Sequence, residues 1–288
     1  MYSIRNALCI LLLGACRSTT TTPTDAPPTD AAVPPPDASA RATDQARFLR
    51  LTNPGNLPVY AGPVGAIHGR VVTSGPAASA VTADTQSCPK AAPQYARAFR
   101  EGPADASGTR PVADAVVVVT GYSGFYIPEA RTRARVVFAD CDFETHTVTM
   151  TLGQQLEVVN KTDVPFAPRL VPSPPSVWLV APPQERGEPI HLTPEAPGYL
   201  RLVDQLGRLK YLELGVYVLL HPLHTVSKPD GSFRIEGIPA QKLMLGGRLA
   251  NGDRTGARDV DVLAGGDVEI ELLLEPKAAT ALKDAGRR

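Results

Sequence analysis

The chain has 288 residues, with 29 basic and 29 acidic side chains and a formal net charge of zero. A neutral chain without a Lys/Arg cluster has no electrostatic footing for a phosphate backbone, so no nucleic-acid partner is expected. Its 29 prolines and 24 glycines argue for many turns and few long helices, and the length suffices for one or two β-rich domains plus tails.

Residues 1–15 read as a signal segment. Arg5 supplies the positive charge, and Ala7–Leu13, ALCILLL, is an apolar run too short to span a bilayer. Leu13, Gly14 and Ala15 then lead into Cys16. That quartet resembles a bacterial lipobox, which implies acylation of Cys16 and a membrane partner held through the lipid. Several acyl chains make such an anchor stable, because each buried methylene contributes about 0.8 kcal/mol. Arg17 follows, with no Asp at that place, so the resemblance implies the outer membrane by default. The expected location is therefore the bacterial cell envelope, on a periplasmic or surface face. The alternative is an ordinary signal peptide in which Cys16 is incidental. Residues 16–47 are rich in Thr, Pro, Ala and Asp. They bury too little surface to offset ordering entropy and read as a disordered tether.

With Cys9 in the signal and Cys16 lipidated, Cys88 and Cys141 remain. Two cysteines in an exported chain favour one disulfide, and only one pairing is possible. Metal-binding thiols are the weaker alternative, since no CxxC accompanies either residue.

Beyond the tether, strands are predicted at Gly65–Val72, Ala113–Gly121, Ala134–Phe143, Thr145–Leu152 and Gln155–Asn160. They continue at Val177–Val180, Tyr199–Val203, Tyr211–Leu220, Ser232–Ile238, Gln241–Ala250, Arg258–Ala264 and Val268–Leu274. Between the first two lies a polar, Gly-rich loop in which Lys90–Arg100, KAAPQYARAFR, is predicted as one short helix. Residues 276–288 form a tail, helical or frayed. Short strands at this spacing predict an all-β sandwich architecture.

The outer strands resemble the carboxypeptidase regulatory-like domain, a small transthyretin-like β-sandwich. Gly65–Val72, GAIHGRVV, is similar to the family's G-x-I-x-G-x-V opening, and Val112–Val119 to its second strand. Lys228–Gly252 is similar to the D-x-x-G-x-F-x-[IL]-x-[GN]-[IVL]-P-x-G pattern, with Ala240 or Gln241 where Gly is usual. The resemblance implies residues 60–115 and 227–275 as the two pieces of that sandwich.

The segment between them, 116–226, resembles the exported plastocyanin-like proteins of cupredoxin-like, Greek-key fold. Cys141, Phe143, Val148, Gly153, Leu156 and Asn160 fall on that pattern, and His221–Phe233 on its junction into the sandwich. The ligand positions do not match. A blue-copper site needs two imidazoles and a thiolate. Phe166 and Ala167 stand where His-Asn is usual. The family's Cys and second His fall on Asp204 and Gly207 by one anchor, or on Leu206 and Leu209 by the other. The resemblance thus implies the scaffold with its copper site lost.

His68, His146, His191, His221 and His224 remain. His68 alternates with Ile67 and is expected to face solvent. An extended segment puts His221 and His224 on opposite faces, which does not favour a shared metal. A set combining His221 with His191 or His146 is the alternative. Ser123 in GYSGF lacks the strand-to-helix context of a nucleophile elbow. Glu185 and Glu188 read as a solvated loop, and Trp178 as core packing or an exposed platform. The expected function is a non-enzymatic envelope binding or scaffolding protein, its partner an envelope protein or a glycan, with no catalytic, metal or cofactor residues. The alternative is a periplasmic copper-binding protein using a non-standard histidine set.

Overall fold

A computed structural model describes residues 46–164, 166–172 and 189–277. The signal segment, Cys16, nearly all of the tether, Trp178, Glu185, Glu188 and the tail beyond Lys277 lie outside the described residues. Residues 46–52 are helical. All else regular is strand, apart from a single 3-10 turn at Pro89–Ala91.

The chain enters through β1 (Val64–Thr73), crosses a long loop to β2 (Arg110–Pro111) and continues into β3 (Val116–Thr120). Eight strands follow: β4 (Arg133–Ala139), β5 (Asp142–Phe143), β6 (Thr147–Thr151), β7 (Gln155–Asn160), β8 (Pro168–Val171), β9 (Pro189–Leu192), β10 (Gly198–Asp204) and β11 (Glu213–Leu219). The last five are β12 (His224–Val226), β13 (Ser232–Pro239), β14 (Lys242–Arg248), β15 (Arg254–Asp261) and β16 (Asp267–Pro276). The fold is all-β.

The outer strands form one sheet in the order β12-β3-β14-β15-β16-β1-β13, with β2 added on β1. Its members bury alternate residues, as in β14, where Leu243, Leu245 and Gly247 point inward and Lys242, Met244 and Arg248 outward. β15 and β16 pair only at Arg254↔Pro276 and Thr255↔Glu275. The sheet folds over at that narrow join, so Val117, Val119 and Leu245 of one half pack against Ile67, Ile270 and Leu272 of the other. This is a sandwich made by one sheet turning back on itself.

The inner strands make a second sandwich from two four-stranded sheets, β6-β11-β10-β8 and β5-β4-β7-β9. From β5 to β10 each successive strand crosses to the other sheet, and β4 runs parallel to β7 as β6 does to β11. The core of this sandwich holds Phe138, Phe143, Phe166, Leu156, Met150 and Leu214. The strands at the two expected seams, 116 and 226, both pair within the outer sheet: β3 lies between β12 and β14. The inner sandwich is therefore strung between β3 and β12, which are hydrogen-bonded neighbours.

The predicted helix over Lys90–Arg100 does not form. Cys88 is tied to Cys141 by a disulfide, and the bridges Ala80↔Arg97 and Glu101↔Val112 hold the later residues extended. Tertiary pairing overrides helix propensity here. The same loop carries Phe99, over which the buried guanidinium of Arg254 lies 5.3 Å from the ring centroid. Arg254 in turn donates to Thr73 Oγ1 at 2.7 Å and to the carbonyls of Ser74 and Pro76 at 3.0 and 2.8 Å.

Candidate functional site

The two stretches that fall on the ligand positions of the resembled family meet in space. Asn160 fastens the first. Its amide donates to Val164 O at 2.9 Å, and its side-chain oxygen accepts from Thr162 N and Thr162 Oγ1, each at 2.8 Å. The chain then delivers Phe166 inward, fully buried, with ring centroids 5.2 Å from Phe138 and 5.8 Å from Phe143. Ala167 N donates to Asp204 Oδ1 at 3.2 Å, and Gln205 N donates to Ala167 O at 2.8 Å. The carboxylate of Asp204 also accepts from Leu206, Arg208 and Leu209 N–H groups at 3.2, 2.9 and 3.2 Å. Four backbone donors thus occupy its two oxygens. Leu209 is buried while Leu206 and Gly207 turn outward. The place is a phenylalanine cluster beside a carboxylate-capped turn, a donor set that does not suit copper.

Three histidines are engaged by carboxylates. His68 Nδ1 lies 2.8 Å from Asp267 Oδ1 at the surface. His146 Nε2 lies 2.9 and 3.1 Å from the two oxygens of Asp142, and His191 Nε2 lies 3.4 Å from Glu157 Oε2. Neither His146 nor His191 joins His221. The expectation that His221 and His224 face opposite ways is corrected. The chain bends through Pro222, where His224 N donates to Pro222 O at 2.9 Å, and the two rings come to 6.5 Å between centroids. Among the described residues no group of three or more His, Cys, Asp or Glu side chains converges as a metal cage.

His224 is buried and takes a partner from the inner sandwich, Thr151, whose Oγ1 lies 3.1 Å from His224 Nε2. Burial, then the nearby Arg131 and His221, depress its pKa from 6.5 to about 3. The folded chain thus refuses a proton that the unfolded chain accepts near pH 6.5. Stability is complete above that pH and declines as pH falls from 6.5 towards 3. Glu129 is also held below its ordinary value: burial opposes this, but hydrogen bonds from Arg131 and Thr151 outweigh it. It contributes only at the acid end of the window. Urea midpoints measured across pH 7 to 4 are expected to fall, and to fall less in His224→Gln; equal slopes in the two proteins would place the proton uptake elsewhere.

A cavity of about 600 Å³ lies between the sandwiches. One wall is the cross-strand pair Tyr199 and Tyr217 of β10 and β11, centroids 4.9 Å apart. Gly215 makes the room between them, since a Cβ there would sit 3.2 Å from the Tyr199 ring and 3.3 Å from Ala250 Cβ. Arg248, at the end of β14 in the outer sandwich, reaches over Tyr217, 5.5 Å from its centroid. The opposite wall is Tyr95, stacked on the His146 ring at 4.7 Å and 21°. Tyr95 donates to Asp142 Oδ1 at 2.7 Å, and burial, reinforced by that carboxylate, pushes its phenol pKa far up. Tyr95 is therefore a neutral donor at any ordinary pH. Burial tends to raise Asp142, but the hydrogen bonds from His146 and Tyr95 prevail and hold it below its ordinary value.

Arg100 is paired with Asp114 through two contacts of 2.6 and 2.8 Å, and Arg97 donates to Ala78 O at 3.0 Å. Arg248 has no carboxylate partner among the described residues. No hydroxyl or thiol among them hydrogen-bonds to the His146 ring, so Tyr95, Asp142 and His146 brace a wall and do not form a nucleophile–base pair. Ser123 lies in an exposed loop where Tyr122 stacks on Phe125 at 5.4 Å. This groove went unseen in the sequence because six separated segments supply it. A second cavity of about 660 Å³ lies beside β8 and β10, lined by Leu170, Pro172, Leu192 and Leu200 among others.

No protein-family model matches the chain, and no curated protein matches it. Among solved structures the chain is similar to a Cu-containing nitrite reductase (NirK) from Thermus scotoductus SA-01, at 18% identity and a TM-score of 0.27. The match covers 36% of this chain and 26% of that one, too shallow a likeness to carry fold or function.

Proposed function

We propose that this chain is a non-enzymatic binding protein of the bacterial cell envelope, held by lipid on Cys16, whose ligand is an acidic envelope glycan seated in the groove between the sandwiches. The single observation that carries this reading is the guanidinium of Arg248, without a carboxylate partner among the described residues, lying over Tyr217 of the Tyr199–Tyr217 pair. Flat rings with polar rims suit sugar faces, and a guanidinium without a carboxylate of its own suits a ligand that brings one. The occupied carboxylate of Asp204 and the buried ring of Phe166 support the view that the copper chemistry of the resembled family has been replaced by packing.

Calorimetric titration with uronic-acid or muramic-acid oligosaccharides is the direct experiment. Saturable binding is expected, weakened about tenfold or more by Tyr199→Ala and by Arg248→Ala, each tenfold being about 1.4 kcal/mol. Equal affinity for neutral and acidic sugars would remove Arg248 from the account, and no binding to either would sink the glycan reading. In the same strains, palmitate labelling is expected to disappear in Cys16→Ala; retained labelling would refute the anchor.

A further inference from the structure

We propose that His221 and His224 together form a two-coordinate site for a soft monovalent cation, Cu(I) or its analogue Ag(I), where the two sandwiches meet. The site lies apart from the ligand position implied by the family resemblance, and the inference goes beyond the glycan reading.

The argument begins with one hydroxyl proton. Thr151 Oγ1 lies 2.7 Å from Glu129 Oε2, an acceptor only, so its proton goes to that carboxylate. The 3.1 Å contact from Thr151 Oγ1 to His224 Nε2 must then be donated by the imidazole. His224 is thereby fixed as the Nε2–H tautomer, with its lone pair on Nδ1. That Nδ1 is buried and has no hydrogen-bond partner, in a residue only 3% exposed. The Nδ1 of His221 is also buried and unpartnered. Buried polar atoms in folded proteins find partners as a rule, and an unmatched pair on neighbouring rings calls for an occupant. A carboxylate, here acting through Thr151, that fixes the tautomer of one imidazole is how proteins prepare histidines as ligands.

The chemistry of the donors selects the cation. Only two neutral nitrogens are offered. Zinc in structural sites takes four ligands, and calcium and magnesium take oxygen. Glu129 is not free to neutralise a dication, because Arg131 grips it with contacts of 2.9 Å from both Nε and Nη2. The other ionisable neighbour is Tyr122, whose ring meets His221 edge-on at 5.9 Å and whose pKa burial raises to about 12. The surroundings are thus neutral overall, which favours a single charge. Closed-shell Cu(I) and Ag(I) accept two nitrogens in line. On the scale of a zinc–imidazole bond, about 2.0 Å, two metal–nitrogen bonds each extended by a ring radius of about 1.2 Å set linear centroids about 6.4 Å apart and bent ones closer. The observed separation is 6.5 Å.

The test uses the full-length protein without oxygen. Cu(I) is titrated against bicinchoninate, and Ag(I) is followed by ¹⁵N resonances of the histidine rings. One equivalent per chain is expected, with shifts at Nδ1 of His221 and His224 and none at His68, His146 or His191. His221→Ala and His224→Ala are each expected to weaken binding at least 100-fold. Thr151→Val leaves both ligands but frees the tautomer, and is expected to weaken it about tenfold. An absorption-edge shape of two-coordinate copper completes the expected result. Binding that survives both histidine variants, shifts confined to Nε2, a three- or four-ligand edge, or unshifted Nδ1 resonances with a water between the rings would each overturn the proposal. If a variant fails to fold, the ring resonances of the unmodified chain still decide.

Discussion

Reduction of the Cys88–Cys141 disulfide is expected to lower the unfolding free energy by about 4 kcal/mol, from the loop closure of 53 residues it imposes on the unfolded chain. The bridge joins the long loop between β1 and β2 to the turn between β4 and β5. That turn is tight: Asp140 and Cys141 have φ of 49° and 69°, and Tyr211 Oη donates to Cys141 O at 2.8 Å. Both sulfur residues sit in the inner core beside Ala91 and Tyr95. The loop that supplies Tyr95 and Arg100 to the groove is therefore stapled to the sandwich it faces. Urea denaturation with and without reductant, and of a Cys88→Ala/Cys141→Ala double variant, measures the effect. A loss under about 1 kcal/mol would mean that packing alone holds the loop and that the unfolded chain is already compact. Glycan affinity is expected to drop alongside stability, since the groove loses a wall.

The second large effect is expected from Gly69→Ala. In β1 the parallel neighbour β16 passes so closely that a Cβ on Gly69 would overlap the carbonyl oxygen of Ile270, which is backbone and cannot rotate aside. The φ of Gly69, 156°, is one that a side chain rarely adopts. A Cβ on Gly65, four residues earlier, would lie 2.7 and 2.8 Å from the carbonyl oxygens of Leu263 and Gly266. Forcing a methyl group into packed backbone is expected to cost more than about 3 kcal/mol, the upper end of overpacking, or to abolish folding. Gly75→Ala is the control: its φ is 80° with nothing within 4 Å of the added carbon, so only about 1 kcal/mol of backbone strain is expected. Matching midpoints for the two variants would show that β16 can move away.

These two residues mark what was legible in the sequence. The G-x-I-x-G-x-V opening could be read because its glycines answer to a close approach that only glycine tolerates. β7 could be read to the residue, since Gln155–Val158 alternates polar with apolar, a second valine follows, and the strand ends on a turn-forming Asn160. β15 begins four residues before the predicted Arg258, because Gly256 and Arg254 carry no apolar signal yet pair with β14 and β16. β2, β8, β9 and β12 were missed. β8 and β9 begin on prolines, β2 holds two residues and β12 three, so none has a period to detect. The disulfide followed from counting. The histidine pair did not, because strand periodicity fails at Pro222, where the chain bends. Phe166 is a buried ring of the inner core, as its apolar character leads one to expect, but its neighbour Asp204 gave no hint of caging four N–H groups. Such capping depends on a turn that only the fold creates.

The insertion of one sandwich between β3 and β12 also sets an order of events. Apart from two residues of β2, β1 is paired only with β13 and β16, both synthesised after the whole inserted segment. Every strand of the inner sandwich, by contrast, finds its partners within the inserted segment. The insert can condense early on its local contacts, while the opening strand, apolar on one face, stays without a neighbour until nearly the whole chain exists. The first strand made is among the last to be closed over, and during that wait it is the stretch a chaperone would have to shield.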